Sequence, residues 1–138
     1  MKTAKTFIDT NVLLYVFSAD TDKADRAEDI LQTGAFISVQ VLNEFTSVAK
    51  RKFKMSYPEI REALQVVKTV CQIIPLTLEI HEQGLDIAER FSFSMYDSLI
   101  VAAALLAGCT PLYSEDLQHG QLIQDQLLIV NPFADPVD

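Results

Sequence analysis

A chain of 138 residues, 49% hydrophobic and 22% charged, has the composition of a folded protein with one sizeable core, and this excludes a disordered reading. The formal net charge of −8 argues against a dedicated nucleic-acid binder, because phosphate neutralisation needs Lys and Arg, and it favours cationic partners, a metal ion or a basic protein. Cys71 and Cys109 lack metal-ligand spacing, and no signal-peptide core or membrane-length apolar run is present, so a soluble cytoplasmic protein with two buried thiols is expected.

Residues 5–8 read as a short buried strand that runs into Asp9. Asp9, Thr10 and Asn11 then offer helix-capping chemistry ahead of an apolar helical turn over residues 12–17. Residues 22–32 place Ala24, Ala27, Ile30 and Leu31 at helical spacing and end near Gly34. A second strand is expected over 35–38, followed by a helix from 39 to about 53 whose apolar stripe is Val41, Leu42, Phe45, Val48 and Ala49. Pro58 opens the next helix, to about residue 70. A third strand follows over 71–76, then a helix over 79–91 and a strongly apolar helix over 94–107, closed by Gly108. Residues 111–113 and 127–130 supply a fourth and a fifth strand. Strands alternating with helices predict an α/β fold: one domain over residues 1–138, with a parallel sheet of four to five strands and helices on both faces.

Ligands in such folds bind beyond the carboxyl ends of the strands, so functional side chains should fall just after strands. Asp9 and Asp116 do. Glu44 lies on the helix entered from the second strand, at the edge of its apolar stripe, and Asp97 occupies the first turn of the apolar helix. Each acid has a structural explanation of its own: Asp9 as an N-cap, Asp97 within a capping box opened by Ser94, Glu44 as a solvated helix edge, Asp116 as a loop acid. Their predicted convergence at one end of the sheet is the stronger signal. Crowded carboxylates repel and take up protons unless a cation neutralises them. A donor set of oxygens alone, without His or Cys, suits a hard ion, Mg²⁺ or Mn²⁺. His81 and His119 stand isolated, no zinc ligand set is present, and the four glycines form no phosphate loop.

The stretches FIDTNVLLYVF, ISVQVLNEF, FSFSMYDSLIVAAALLAGC and LYSEDLQHG, in that order and spacing, resemble the PIN-domain ribonucleases, above all the VapC-type toxins of bacterial toxin–antitoxin pairs. The resemblance implies a PIN-like domain, a Mg²⁺- or Mn²⁺-dependent endoribonuclease acting on RNA, and a cognate antitoxin that restrains it. It places the acidic positions on Asp9, Glu44, Asp97 and Asp116, and the polar residues beside the metal on Thr10, Asn11 and Ser114. Asp9, Asp97 and Asp116 are expected as direct ligands, with Glu44 binding through water or orienting the nucleophile. Many members carry a further acid where this chain has Gln118, so a second metal has less support. A homodimer is expected, and the helix over 79–91, with Ile80, Leu85, Ile87, Ala88 and Phe91, offers a surface for a second copy or an antitoxin.

Setting the four site acids aside takes the formal charge from −8 to −4. Positive charge meanwhile clusters in AKRKFK, where Lys50, Arg51, Lys52 and Lys54 form either a landing strip for RNA or a cation-rich helix end. Two rival readings remain from the residues: a Mg²⁺-dependent phosphatase or phosphotransfer domain of related architecture, and a PIN scaffold without catalysis.

Overall fold

The computed structural model describes residues 5–134. Its strands are β1 (Thr6–Ile8), β2 (Ala35–Ser38), β3 (Cys71–Ile74), β4 (Leu112–Tyr113), β5 (Leu122–Ile123) and β6 (Leu127–Val130). Its helices are α1 (Thr10–Tyr15), α2 (Thr21–Gln32), α3 (Val39–Arg51), α4 (Tyr57–Val70), α5 (Leu78–Phe91) and α6 (Met95–Leu106). The strands form one sheet in the order β3-β2-β1-β4-β6-β5. Every pairing is parallel except β5 with β6.

Phe7 and Ile8 of β1 are both fully buried. Successive strand residues point to opposite faces, so both faces of the sheet are covered at its centre, as a parallel sheet requires. The expected α/β architecture is therefore present, with six strands where four to five were expected. The additional strand, β5, pairs Leu122 with Leu128 and Ile123 with Leu127 across a turn in which Gln124 and Asp125 both have positive φ. That turn uses no Asn-Gly or Asp-Gly pair, so its sequence carries little hairpin signal. β3 stops at Ile74, just ahead of Pro75, which has no N–H to give a ladder.

From β1 the chain steps outward to β2 and β3, then returns to lay β4 against the other side of β1. The seam between β1 and β4 is the topological switch point, and a crevice opens beyond its carboxyl ends. The register pairs Ile8 with Tyr113, and the Asp9 N–H donates to the Tyr113 carbonyl at 2.9 Å. Asp9 and Ser114 consequently leave the sheet side by side.

Helix α6 is buried continuously from Ser98 to Leu105. Helix α5 packs closely on it, since a Cβ at Gly84 would lie 3.0 Å from Leu99 Cδ2. This packing corrects the expectation for the helix over 79–91. Ile80 and Ile87 are buried in the core, and of the apolar residues named there only Leu85 is well exposed, with Leu78, seven residues earlier, exposed as well. Cys71 and Cys109 are free and buried, and burial pushes both thiols up to about 11. Among the described residues, no helix is long and apolar enough to cross a membrane.

Candidate active site

Asp9 is 3% exposed, at the N-cap of α1. Its Oδ1 accepts the Thr10 N–H at 2.7 Å, while Oδ2 accepts the Ser114 hydroxyl at 2.8 Å and the Asn11 amide at 3.3 Å. Asn11 Oδ1 in turn accepts the Glu115 N–H at 3.0 Å, and Ser114 Oγ accepts the Leu117 N–H at 3.2 Å. Asp9, Asn11 and Ser114 thus form one hydrogen-bonded unit across the β1–β4 seam. Burial pushes the Asp9 carboxyl up to about 7; bonds from Ser114 and Thr10 oppose the rise, and the charges of Asp97 and Glu44 add to it. Capping alone does not explain this residue, because its side chain accepts the N–H of Thr10, the first helical residue, rather than that of the second or third as a cap ordinarily does.

Glu44 is half-buried on α3, a helix that starts directly after β2 with Ser38 as its N-cap. Gln40, one turn earlier, donates to its Oε2 at 3.0 Å, and the Thr10 hydroxyl lies 3.4 Å from Oε1. Burial raises the Glu44 carboxyl, as do the charges of Asp97 and Asp116, against the Gln40 and Thr10 bonds. Asp97 stands in the first turn of α6, where the Ser94 hydroxyl accepts its N–H at 3.1 Å. The reciprocal bond of a capping box, complete at Ser56 and Glu59 of α4, is not made here. Burial raises the Asp97 carboxyl and Asp116 raises it further, offset in part by Ser94. Asp116 itself is exposed on the loop after β4. Charge links the four acids in a chain: Asp9 feels Asp97 and Glu44, and both of these feel Asp116.

Glu44, on α3, and Asp97, on α6, line a 530 Å³ cleft that also includes Gln40, Arg51, Ser94 and Tyr96. Residues 6–122 match the PIN domain family model, most of the chain. The chain belongs to the PIN domain family. No curated protein matches it in sequence. Among solved structures it is similar to a toxin–antitoxin complex from Klebsiella pneumoniae, with 21% identity, a TM-score of 0.71, and coverage of 95% of this chain and 98% of that one. It is also similar to VapC20 of Mycobacterium tuberculosis, a Sarcin-Ricin loop cleaving toxin, with 18% identity, a TM-score of 0.67, and coverage of 81% and 90%. VapBC2 from Rickettsia felis, bound to a DNA fragment from its promoter, matches with 20% identity, a TM-score of 0.60, and coverage of 80% and 87%.

Within this PIN fold the basic run divides. Arg51 lines the cleft, and Lys52 lines a 200 Å³ pocket next to it with Asn11 and Tyr15. Lys50 instead lies over the Tyr57 ring at 4.5 Å, and Lys54 follows the end of α3 with φ +54°. Among the described residues, no group of three or more His, Cys, Asp or Glu side chains is placed to hold a metal ion. The acids share one field without forming a closed coordination shell. Their chemistry still fits a hard cation: only oxygen donors, with three carboxyl groups raised by burial and by one another's charge.

Some contributors left little trace in the sequence. Gln40, four residues ahead of Glu44 on one helix face, was detectable from that spacing. A second network was not, because it joins distant segments. Lys23 Nζ donates to Glu115 Oε2 at 2.8 Å and to the Tyr15 hydroxyl at 3.1 Å, and that hydroxyl donates to Glu115 Oε1 at 2.6 Å. Burial alone would raise the Glu115 carboxyl, but the bonds from Lys23 and Tyr15 outweigh it and hold it low. The network pins the loop that carries Ser114 and Asp116.

Proposed function

We propose that this PIN-domain chain is a Mg²⁺- or Mn²⁺-dependent endoribonuclease and the toxin of a toxin–antitoxin pair, acting in the cytoplasm as one domain over residues 1–138. One observation supports the reading: Asp9 and Asp116 follow the strands of the switch point, they are coupled through the charges of Glu44 and Asp97, and burial and mutual repulsion raise three of the four carboxyl groups. Such a cluster stores charge that a divalent cation relieves. The similarity to toxin–antitoxin complexes supports a protein antitoxin as partner.

When bound, a divalent ion supplies Lewis acidity, stabilising charge on the phosphate and acidifying water. Asp9, Asp97 and Asp116 are the residues that would hold it. Glu44, with Gln40 fixing one carboxylate oxygen, would take part through water or orient the attacking water. Ser114, Asn11 and Thr10 hold the two inner carboxylates in place, a support on which metal sites depend. Arg51 and Lys52 would bind RNA phosphates beside the acids.

The test is incubation of the purified protein with RNA and with a small phosphomonoester, in Mg²⁺, Mn²⁺ and EDTA. RNA cleavage that needs metal and disappears in Asp9→Asn is the expected result. Turnover of the phosphomonoester alone would favour a phosphatase, and no turnover of either would favour a binding scaffold. Light scattering tests the expected homodimer, which a monomer mass across micromolar concentrations would refute.

A further inference from the structure

Tyr96 is a large exposed side chain in the first turn of α6. From Ser98 onward α6 is buried for eight successive residues, yet Tyr96 is 64% exposed. The ring is not among the side chains packed on the core. Packing against the core does not account for it. It does form part of the wall of the 530 Å³ cleft, next in sequence to Asp97 and in the same cleft as Glu44 and Arg51. A flat apolar face, a guanidinium and a carboxylate pair therefore line one concavity. A nucleotide matches these features with a π face for the ring and a phosphate for the cation. The volume lies within the range of pockets for small ligands, room for a nucleotide rather than a helix.

We propose that Tyr96 is a base-stacking platform: a base flanking the scissile phosphate lies on its ring while Arg51 holds a neighbouring phosphate. The proposal rests on the ribonuclease reading and adds to it a subsite for the base. In a duplex both faces of an interior base are occupied by its neighbours, so the base on Tyr96 is an unstacked one. Tyr96 touches the substrate without taking part in bond breaking.

The chain contains no tryptophan, which makes a direct optical test available. Tyr96→Trp in the Asp9→Asn background places a single indole at the platform of a protein that leaves RNA intact. It is titrated with Mg²⁺ present against a single-stranded oligoribonucleotide and against an abasic oligomer of equal length. Val66→Trp in the same background, an exposed position on α4, is the control. Saturable quenching by the base-bearing oligomer, little by the abasic one and none in the control, is expected. Kinetics supply the second readout: Tyr96→Ala raises KM for RNA by about tenfold, within the range for loss of one stacked base, and Tyr96→Phe restores it. Equal quenching by the abasic oligomer overturns the proposal. So does unchanged RNA kinetics in Tyr96→Ala, an outcome that would assign the ring to a protein partner. If wild-type protein cleaves RNA but the indole is silent, the platform alone is wrong; if RNA is neither cleaved nor bound, the ribonuclease reading falls with it.

Discussion

The β1–β4 seam and the cleft wall hold the same kind of residue in different states. At the seam, Asp9 is buried with both carboxylate oxygens engaged. On the wall, Glu44 and Asp97 are half-buried, and Asp116 beyond them is exposed. The seam is preorganised by backbone pairing and side-chain bonds that cannot move without disturbing the sheet. The wall stands on helices and a loop, with its carboxylates open to solvent on one side. Position is set on one side, and adjustment remains possible on the other.

The largest expected effect lies at the seam. Asp9→Asn should lower RNA cleavage by at least about 10²–10³-fold, the usual loss when a transition-state-stabilising contact is removed. Stability should move the other way. The folded-state pKa of Asp9, about 7, is above its ordinary 3.8. The folded protein therefore binds a proton that the unfolded chain releases, and stability falls as pH rises from about 4 to about 7. In EDTA at pH 8, replacing the charge with Asn should recover up to about 4 kcal/mol, and at pH 4 almost nothing. Thermal melts at both pH values check this. A variant less stable than wild type at pH 8 would mean that the buried charge serves the fold.

Ser114→Ala sharpens the comparison next. It removes the bond that best opposes the rise in the Asp9 pKa. A loss of about 10–100-fold in metal affinity is expected, measured by calorimetry with Mn²⁺, and it should be greater at pH 6 than at pH 8 as protons compete more effectively. The wall should respond more mildly. Changing Arg51 and Lys52 together to Gln should flatten the salt dependence of RNA binding by about 1.4 in logarithmic slope, if each contacts one phosphate of a single strand. Lys50→Gln, whose ammonium lies over Tyr57, should leave the slope unchanged. The smallest effect belongs to the loop clamp. Lys23 and Glu115 are about one-third and one-quarter exposed, so Lys23→Met should cost about two- to fivefold in kcat without a change in fold. A loss as large as that from Ser114→Ala would place the clamp in the active centre itself.

Much of this was readable before any coordinates. The alternation of strands and helices, the cap at Ser94 and the continuous apolarity of α6 are local patterns, and local patterns survive into the fold. Asp9 and Asp116 stood just after predicted strands, so their end of the sheet followed from topology alone. Strand β5, and with it the hairpin to the expected strand over 127–130, was missed because a two-residue strand and a turn without glycine carry almost no signal. The outward face of α5 was misjudged because period alone shows that a stripe exists, not how much of it a neighbouring helix covers.

By itself, then, the sequence determined the order of elements, the oxygen-only donor set and the end of the sheet where it lies. These depend on residue type and spacing along the chain. Only the tertiary structure decided that Asp9 is buried against Ser114 while Asp116 stays in solvent, that Arg51 lines the cleft and Lys52 the pocket next to it while Lys50 lies over Tyr57, and that Lys23 reaches Glu115 across 92 positions. Burial and charge coupling depend on distance in space, and distance in space arises only when the sheet brings the ends of β1 and β4 together.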